Sequence, residues 1–197
     1  MIRLALLRHG PTPWNAAGRL QGRSDIALSD EARAALAGLR LPAPWINAAL
    51  WASPLARARE TADLVSGRKP QVSDALIEMN WGDWEGQRGV DLLEDPKSDY
   101  RHIEDWGWSY RPPGGETPAE MRERIMSFVD TLQEDAVIVS HIGIMRVLLA
   151  LAHGWDFDGP APFRIKRNRL FLLRYEAGVL RALPGDPPRL VPVDAAP

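Results

Sequence analysis

Arg8-His9-Gly10, Asn15, Arg57, Glu78 and Ser140-His141 are the residues whose types could do chemistry together. Gathered in one pocket, they would supply two guanidinium forks, two imidazoles, an amide and one carboxyl group. That set suits a phosphoryl dianion. Arginine forks match phosphate oxygens bidentately. Backbone N–H groups at the start of a helix after His141 would add further donors. Phosphoryl transfer asks mainly for positioning and for neutralisation of charge on the equatorial oxygens. A neutral imidazole can be the nucleophile, and neighbouring arginines disfavour its protonation. One carboxyl group, Glu78, could protonate the leaving alkoxide and later take a proton from the attacking water. With the nucleophile in the pocket no metal is required, and no Asp, Glu and His group has ligand spacing.

Each residue also has a plainer role open to it. Arg-His-Gly arises by chance, Arg57 could be a solvated helix residue, Glu78 a surface acid and His141 a core histidine. Four plain roles at once are a poorer account than one shared pocket.

The elements that must position these groups can be read from pattern. The apolar run 2–7 stops abruptly at Arg8 and predicts a buried strand delivering His9 at its end. Residues 10–28 have no period and predict a loop. Ser29, with Asp30 and Glu31 behind it, caps a helix to Leu39. Residues 48–52 predict a strand, with Ser53 capping the next helix and Pro54 in its first turn. A weak strand is expected at 71–77. From Glu78 to Gly115 the pattern fails, and a lid-like insertion over about 79–115, with one short helix, is expected. Thr117-Pro118-Ala119-Glu120 is a capping box opening a helix to about Leu132. Ala136 to Val139 predicts a strand and 142–152 an apolar helix. Residues 169–175 and 178–183 predict a closing hairpin, and the Pro-rich end, 184–197, a surface tail.

Strands alternating with helices predict an α/β fold with a mostly parallel sheet in one domain, 1–197. In such sheets ligands bind beyond the carboxyl ends of the strands, where Arg8-His9, Ser53 to Arg57, Glu78 and His141 all fall. The 197 residues suit one core, and the formal net charge of -2 gives no reason to expect nucleic acid as a partner. The chain has no cysteine, which fits the cytoplasm and excludes disulfides and thiol nucleophiles. No apolar run approaches a membrane span, and the N-terminal one is too short for a signal peptide.

The segments holding these residues carry a recognisable pattern. L-L-R-H-G-P-T-P-W-N at 6–15 is followed by G-R-L-Q-G-R-S-D-I-A-L-S. Then come S-P-L-A-R-A-R-E-T-A at 53–62, E-M-N-W-G-D-W-E-G at 78–86, P-P-G-G-E-T at 112–117 and V-S-H-I-G at 139–143. In content and order they resemble the histidine phosphatase superfamily, also called phosphoglycerate mutase-like. The resemblance implies a three-layer α/β/α sandwich. It implies that His9 is the phosphorylated nucleophile, that Arg8, Arg57 and His141 bind the phosphoryl group with support from Asn15, and that Glu78 is the acid/base. Thr12 and Gln21, with Gly22, fall where family members touch substrate. No cofactor or metal is implied. The substrate would be a small phosphate ester, and a homodimer is compatible with it.

The most similar mutases follow the catalytic Glu with Arg-His-Tyr-Gly and carry a basic insertion. Here Glu78 precedes Met79-Asn80-Trp81-Gly82, and the next segment is acidic and Trp-rich. That favours a phosphatase and resembles the short bacterial branch that includes α-ribazole phosphatases. A phosphoglycerate mutase and a catalytically silent phosphate-binding or interaction module are the alternatives. Trp81, Trp84, Trp106 and Trp108 are expected to pack the lid rather than stack on substrate. His102 is expected in solvent and His153 at a helix end. Arg164, Lys166, Arg167 and Arg169 could attract an anion, but a solvated approach to the last hairpin is the reading preferred for them.

Overall fold

The structure, a computed structural model, describes residues 1–194. Its central sheet is built from β1 (Ile2–Arg8), β3 (Ala49–Ala52), β4 (Gln71–Val72), β5 (Ala136–Ser140), β6 (Leu170–Glu176) and β7 (Val179–Ala182), in the order β4-β3-β5-β1-β6-β7. The first four strands run parallel, whereas β6 joins β1 antiparallel and β7 returns along β6. The helices are α1 (Pro13–Ala16), α2 (Asp30–Ala37), α3 (Ala56–Ser66), α4 (Gly89–Glu94), α5 (Pro118–Val129) and α6 (Ile142–His153). A small second sheet pairs β2 (Leu39–Arg40) with β8 (Val191–Pro192).

Strand side chains alternate between faces, so each interior strand feeds two cores. Leu4, Leu6 and Ile138 join α5, α6 and the lid tryptophans in one cluster. Ala5, Leu7, Val137 and Val139 join residues of α2 and α3 in the other. Helices therefore cover both faces of the sheet, which is the expected three-layer α/β/α sandwich. Both faces being apolar explains why β1 and β5 read as continuous hydrophobic runs rather than alternating ones.

Several expectations are corrected in detail. Residues 10–28 are not wholly loop: Thr12 and Asn15 form a capping box around the short helix α1. Ser53 does not cap α3. Its N-cap is Leu55, and the Ala56 N–H is capped from the loop by Asp25 Oδ1 at 2.8 Å. The strand expected at 71–77 is only Gln71–Val72, followed by a 3₁₀ turn at Asp74–Leu76. The Thr117 capping box forms as expected, but α5 stops at Val129. The Pro-rich end is not a loose tail. Leu190 is buried in the α2–α3 core, and β8 pairs with β2. Prolines there hide a short apolar run that docks; residues 195–197 lie outside the described residues.

Candidate active site

Strand register builds the centre of the site. In the parallel β1–β5 pair Arg8 faces Ser140, so the next residues, His9 and His141, leave the sheet side by side. Their ring centroids lie 5.1 Å apart. Ala52 faces Val139 in the neighbouring pair, so Ser53 joins the same row. His141 Nε2 meets Ser53 Oγ at 2.7 Å, while Arg57 Nε donates to His141 Nδ1 at 3.3 Å. That pattern gives His141 a neutral ring with its proton on Nε2. Ser53 is used here, which is why it is not a helix cap.

His9 is 4% exposed. Its Nδ1 lies 2.6 Å from the Gly10 carbonyl oxygen, which can only accept, so Nδ1 carries the proton. The Nε2 lone pair is left for attack. Burial, followed by the charges of Arg57, Arg167 and Arg8, holds the imidazole well below its ordinary pKa. It is therefore neutral, the form that attacks.

Arg167 is the residue that sequence reasoning missed. It was assigned to a solvated approach, yet its guanidinium donates to the His9 carbonyl oxygen and, at 2.9 Å, to Asn15 Oδ1. Burial and then the charge of Arg8 lower its pKa to about 10, so it stays charged at neutral pH. The next residue, Asn168, sits in the left-handed region at φ 56°, a conformation asparagine tolerates. The one signal in the sequence was this asparagine at a turn just before a strand. Arg167→Met should make His9 easier to protonate, with burial and the charges of Arg57 and Arg8 still opposing it. The sign is fixed: His9 attacks when neutral, and losing a cation favours imidazolium. The acidic limb of kcat/KM should move toward neutral pH. Activity on the acidic side, relative to pH 7.5, should fall in the variant compared with wild type. A pH–rate profile checks this, and an unmoved limb would contradict it.

Arg57 is fully buried, with Nη1 on the Ser24 carbonyl at 2.8 Å and Nη2 on that of Gly22 at 2.7 Å. Glu85 pins the same loop through the backbone N–H groups of Arg23 and Ser24, at 2.6 and 2.9 Å. Gly22 itself has no room for a side chain, because a Cβ there would lie 2.0 Å from Glu85 Oε1 and 2.7 Å from the Met79 carbonyl.

Glu78 is 3% exposed. Its Oε1 accepts the Met79 N–H at 2.8 Å and its Oε2 the Gly143 N–H at 3.1 Å. Burial raises its pKa, against the lowering effects of those two hydrogen bonds and of Arg57 and Arg124. Arg124 also braces this stretch: it is 2.7 Å from Glu116 and donates to the Ala75 and Glu78 carbonyls at 2.6 and 3.4 Å. Glu116 in turn accepts from the Asn80 N–H at 3.3 Å. Gly143 is required by this arrangement, since a Cβ there would lie 2.3 Å from Glu78 Oε1. Gly143→Ala should displace Glu78 and lower kcat by roughly 10- to 100-fold while the protein still folds. Steady-state kinetics beside a thermal melt would detect it; wild-type kcat would contradict the assigned contact.

These groups surround a cavity of about 290 Å³. Arg8, His9, Asn15, Gln21 and Glu78 line it, as expected. Arg57 and His141 lie behind His9, and Thr12 and Gly22 do not reach the wall. Thr12 instead caps α1 and donates to Gln21 Oε1 at 2.9 Å, and Gly22 acts through Arg57. Trp81 and Trp106 form an aromatic wall, packed edge to face with ring centroids 5.4 Å apart. Trp84 packs away from the cavity, against Tyr100 and Tyr110, and Trp108 against Phe157. His102, exposed as expected, stands with Arg101 in the cavity lining. Two buried donors there have no partner in the protein: Arg8 Nε and Gln21 Nε2. Buried donors are rarely left unpaired, so these fit the oxygens of an anion. Among the described residues, no cluster of His, Asp and Glu could hold a metal ion.

The model of the histidine phosphatase superfamily (branch 1) matches residues 4–183. The chain belongs to the histidine phosphatase superfamily. A probable phosphoglycerate mutase of Erwinia tasmaniensis is 33% identical over 177 residues, covering 84% of this chain and 81% of that protein. An adenosylcobalamin/α-ribazole phosphatase of Salmonella typhimurium is 35% identical over 161 residues, covering 76% and 78%. A crystal structure described as phosphoglycerate mutase from Thermus thermophilus has a TM-score of 0.71 and 32% identity, covering 94% of this chain and 100% of that one. This member of the superfamily thus has relatives named as phosphatases and as mutases. Among its described residues no helix is long and apolar enough to cross a membrane.

Proposed function

We propose that this protein is a metal-independent phosphatase of a small phosphomonoester, working through phosphorylated His9. The observation that carries the reading is the state of His9: buried, held neutral, its Nδ1 tied to Gly10 and its ring facing a cavity with two unpartnered donors. The phosphoryl group would lie against the side chains of Arg8 and Gln21, with Arg57 and His141 behind it. His9 Nε2 attacks phosphorus, and Glu78, whose pKa burial raises, gives its proton to the leaving alkoxide. Glu78 then takes a proton from water as that water attacks the phosphohistidine, releasing phosphate and free His9. The same carboxyl group thus works in both directions.

Hydrolysis is favoured over phosphoryl return because Glu78 is followed by Met79-Asn80-Trp81-Gly82 and then an acidic, Trp-rich segment, in place of the Arg-His-Tyr-Gly and basic insertion of the most similar mutases. The test is phosphate release from a panel of phosphomonoesters with EDTA present, run beside a phosphoglycerate mutase assay. Metal-independent release supports the reading, and isomerisation without release would replace it with the mutase alternative.

A further inference from the structure

A second cavity, of about 360 Å³, shares no lining residue with the catalytic one. It opens between the end of α6, the start of β6 and the chain that follows β7. Much of its lining is apolar. Leu149 of α6 and Phe171 of β6 are buried there, and Phe163 and Leu183 are partly buried beside them. The charged part of the lining is cationic. Arg164, Lys166 and Arg169 contribute to it, against one acid, Asp186.

The cavity is built by the fold. One wall is the turn 183–187, stiffened by Pro184 and Pro187. The Leu183 N–H donates to the Leu172 carbonyl at 2.9 Å, and Arg169 Nη1 donates to the Pro187 carbonyl at 2.9 Å. Both bonds tie the turn to the start of β6. The Phe163 ring is held edge to face on Trp155, with centroids 5.6 Å apart, and lies 5.5 Å from His153 in the last turn of α6. A preformed, largely apolar hollow of this volume has the dimensions of a small-molecule site.

The cations around it lack a counter-ion within the chain. Elsewhere the surface pairs its charges, as Arg3 does with Asp135, Arg33 with Glu60 and Arg111 with Glu120. Arg164 and Lys166 are exposed and form no hydrogen bond or ion pair among the described residues, so Asp186 neutralises neither. Like charges thus gather around one hollow in a chain whose formal net charge is -2. Water solvates the cations but leaves the apolar lining wet. A ligand with an anionic head and an apolar body satisfies both parts.

We infer that this cavity is a second ligand site, which takes a small aromatic anion with its ring against Leu149, Phe163 and Phe171 and its anionic head at Arg164 and Lys166. The site is separate from the reaction at His9 and stands whichever reaction that cavity performs.

2-Naphthoate and 2-naphthamide are the probes. They share a two-ring body and differ in charge, and neither is a phosphate ester. Binding is measured by isothermal titration calorimetry at low ionic strength. The proteins are wild type, Arg164→Ser combined with Lys166→Ser, and Ala182→Phe, which fills the hollow from β7. Wild type should bind the naphthoate about fivefold or more tightly than the amide, and about 0.5 M NaCl should remove most of that preference. The double Ser variant should bring the two probes within about twofold of each other. Ala182→Phe should weaken both by about tenfold or more. If Ala182→Phe does not fold, the double variant still decides, because it alters only exposed side chains. Equal affinity of wild type for the two probes, or no binding of either up to about 5 mM, would overturn the site. A naphthoate preference that survives the double variant would place the probe elsewhere, as in the catalytic cavity, and would overturn it too.

Discussion

His9→Ala should lower kcat by on the order of 10⁴-fold or more, because it removes the nucleophile and leaves only binding and positioning. The structure makes this a clean experiment. His9 faces an existing cavity, so truncation enlarges a polar space rather than opening a void in either apolar core. Its one side-chain hydrogen bond is to the carbonyl of the next residue. Thermal stability should therefore stay within about 1 kcal/mol of wild type, the range of substitutions away from core contacts. Phosphate release and a melting curve on the same sample read both outcomes. Turnover near the wild-type rate in a folded His9→Ala protein would leave no role for a phosphohistidine.

The second large effect is expected at Glu78. Glu78→Gln removes the proton donor while keeping the side chain's length, and should cost about 10²- to 10⁴-fold for alkyl phosphates. For p-nitrophenyl phosphate, whose leaving group departs without help, the first step should be much less affected. Burst kinetics separate that step from dephosphorylation. The pH dependence follows from the direction of the shift. Burial raises the Glu78 pKa, and the acid form is the donor. Activity on alkyl phosphates should therefore fall as pH rises through a value above the ordinary carboxylate range. That limb should vanish in Glu78→Gln. An equal loss with good and poor leaving groups, or a limb that persists in the variant, would contradict the acid role.

Much of the site was legible because parallel strands place chemistry at their carboxyl ends. Arg8-His9 and Ser140-His141 each follow an apolar run, and the register makes them neighbours. Local cues also worked where nothing distant competed for the side chain, as at Ser29 and Thr117, which both cap their helices. Ser53 looked like a third cap and was misread, because His141, 88 residues away, uses its hydroxyl. Thr12 and Gly22 stood beside genuine cavity residues, yet one braces Gln21 and the other Arg57. Motif position gives proximity, whereas the direction of a side chain comes from packing. Arg167 was out of reach for a different reason. Its role depends on which cavity its segment faces, and in sequence that segment, with Arg164, Lys166 and Arg169, looks like solvated charge. The docked C-terminus was concealed by prolines, which suggested a tail although Leu190 closes the core beside α2 and α3.

The most direct measurement is to trap the intermediate. Enzyme mixed with a radiolabelled phosphomonoester is quenched in alkali within the first turnover and digested, and the labelled peptide is sequenced by mass spectrometry. The account predicts one phosphoryl group on the peptide containing His9, stable to base, lost in acid and absent from His9→Ala. Label on another residue, or phosphate release with no covalent label while turnover proceeds, would contradict it.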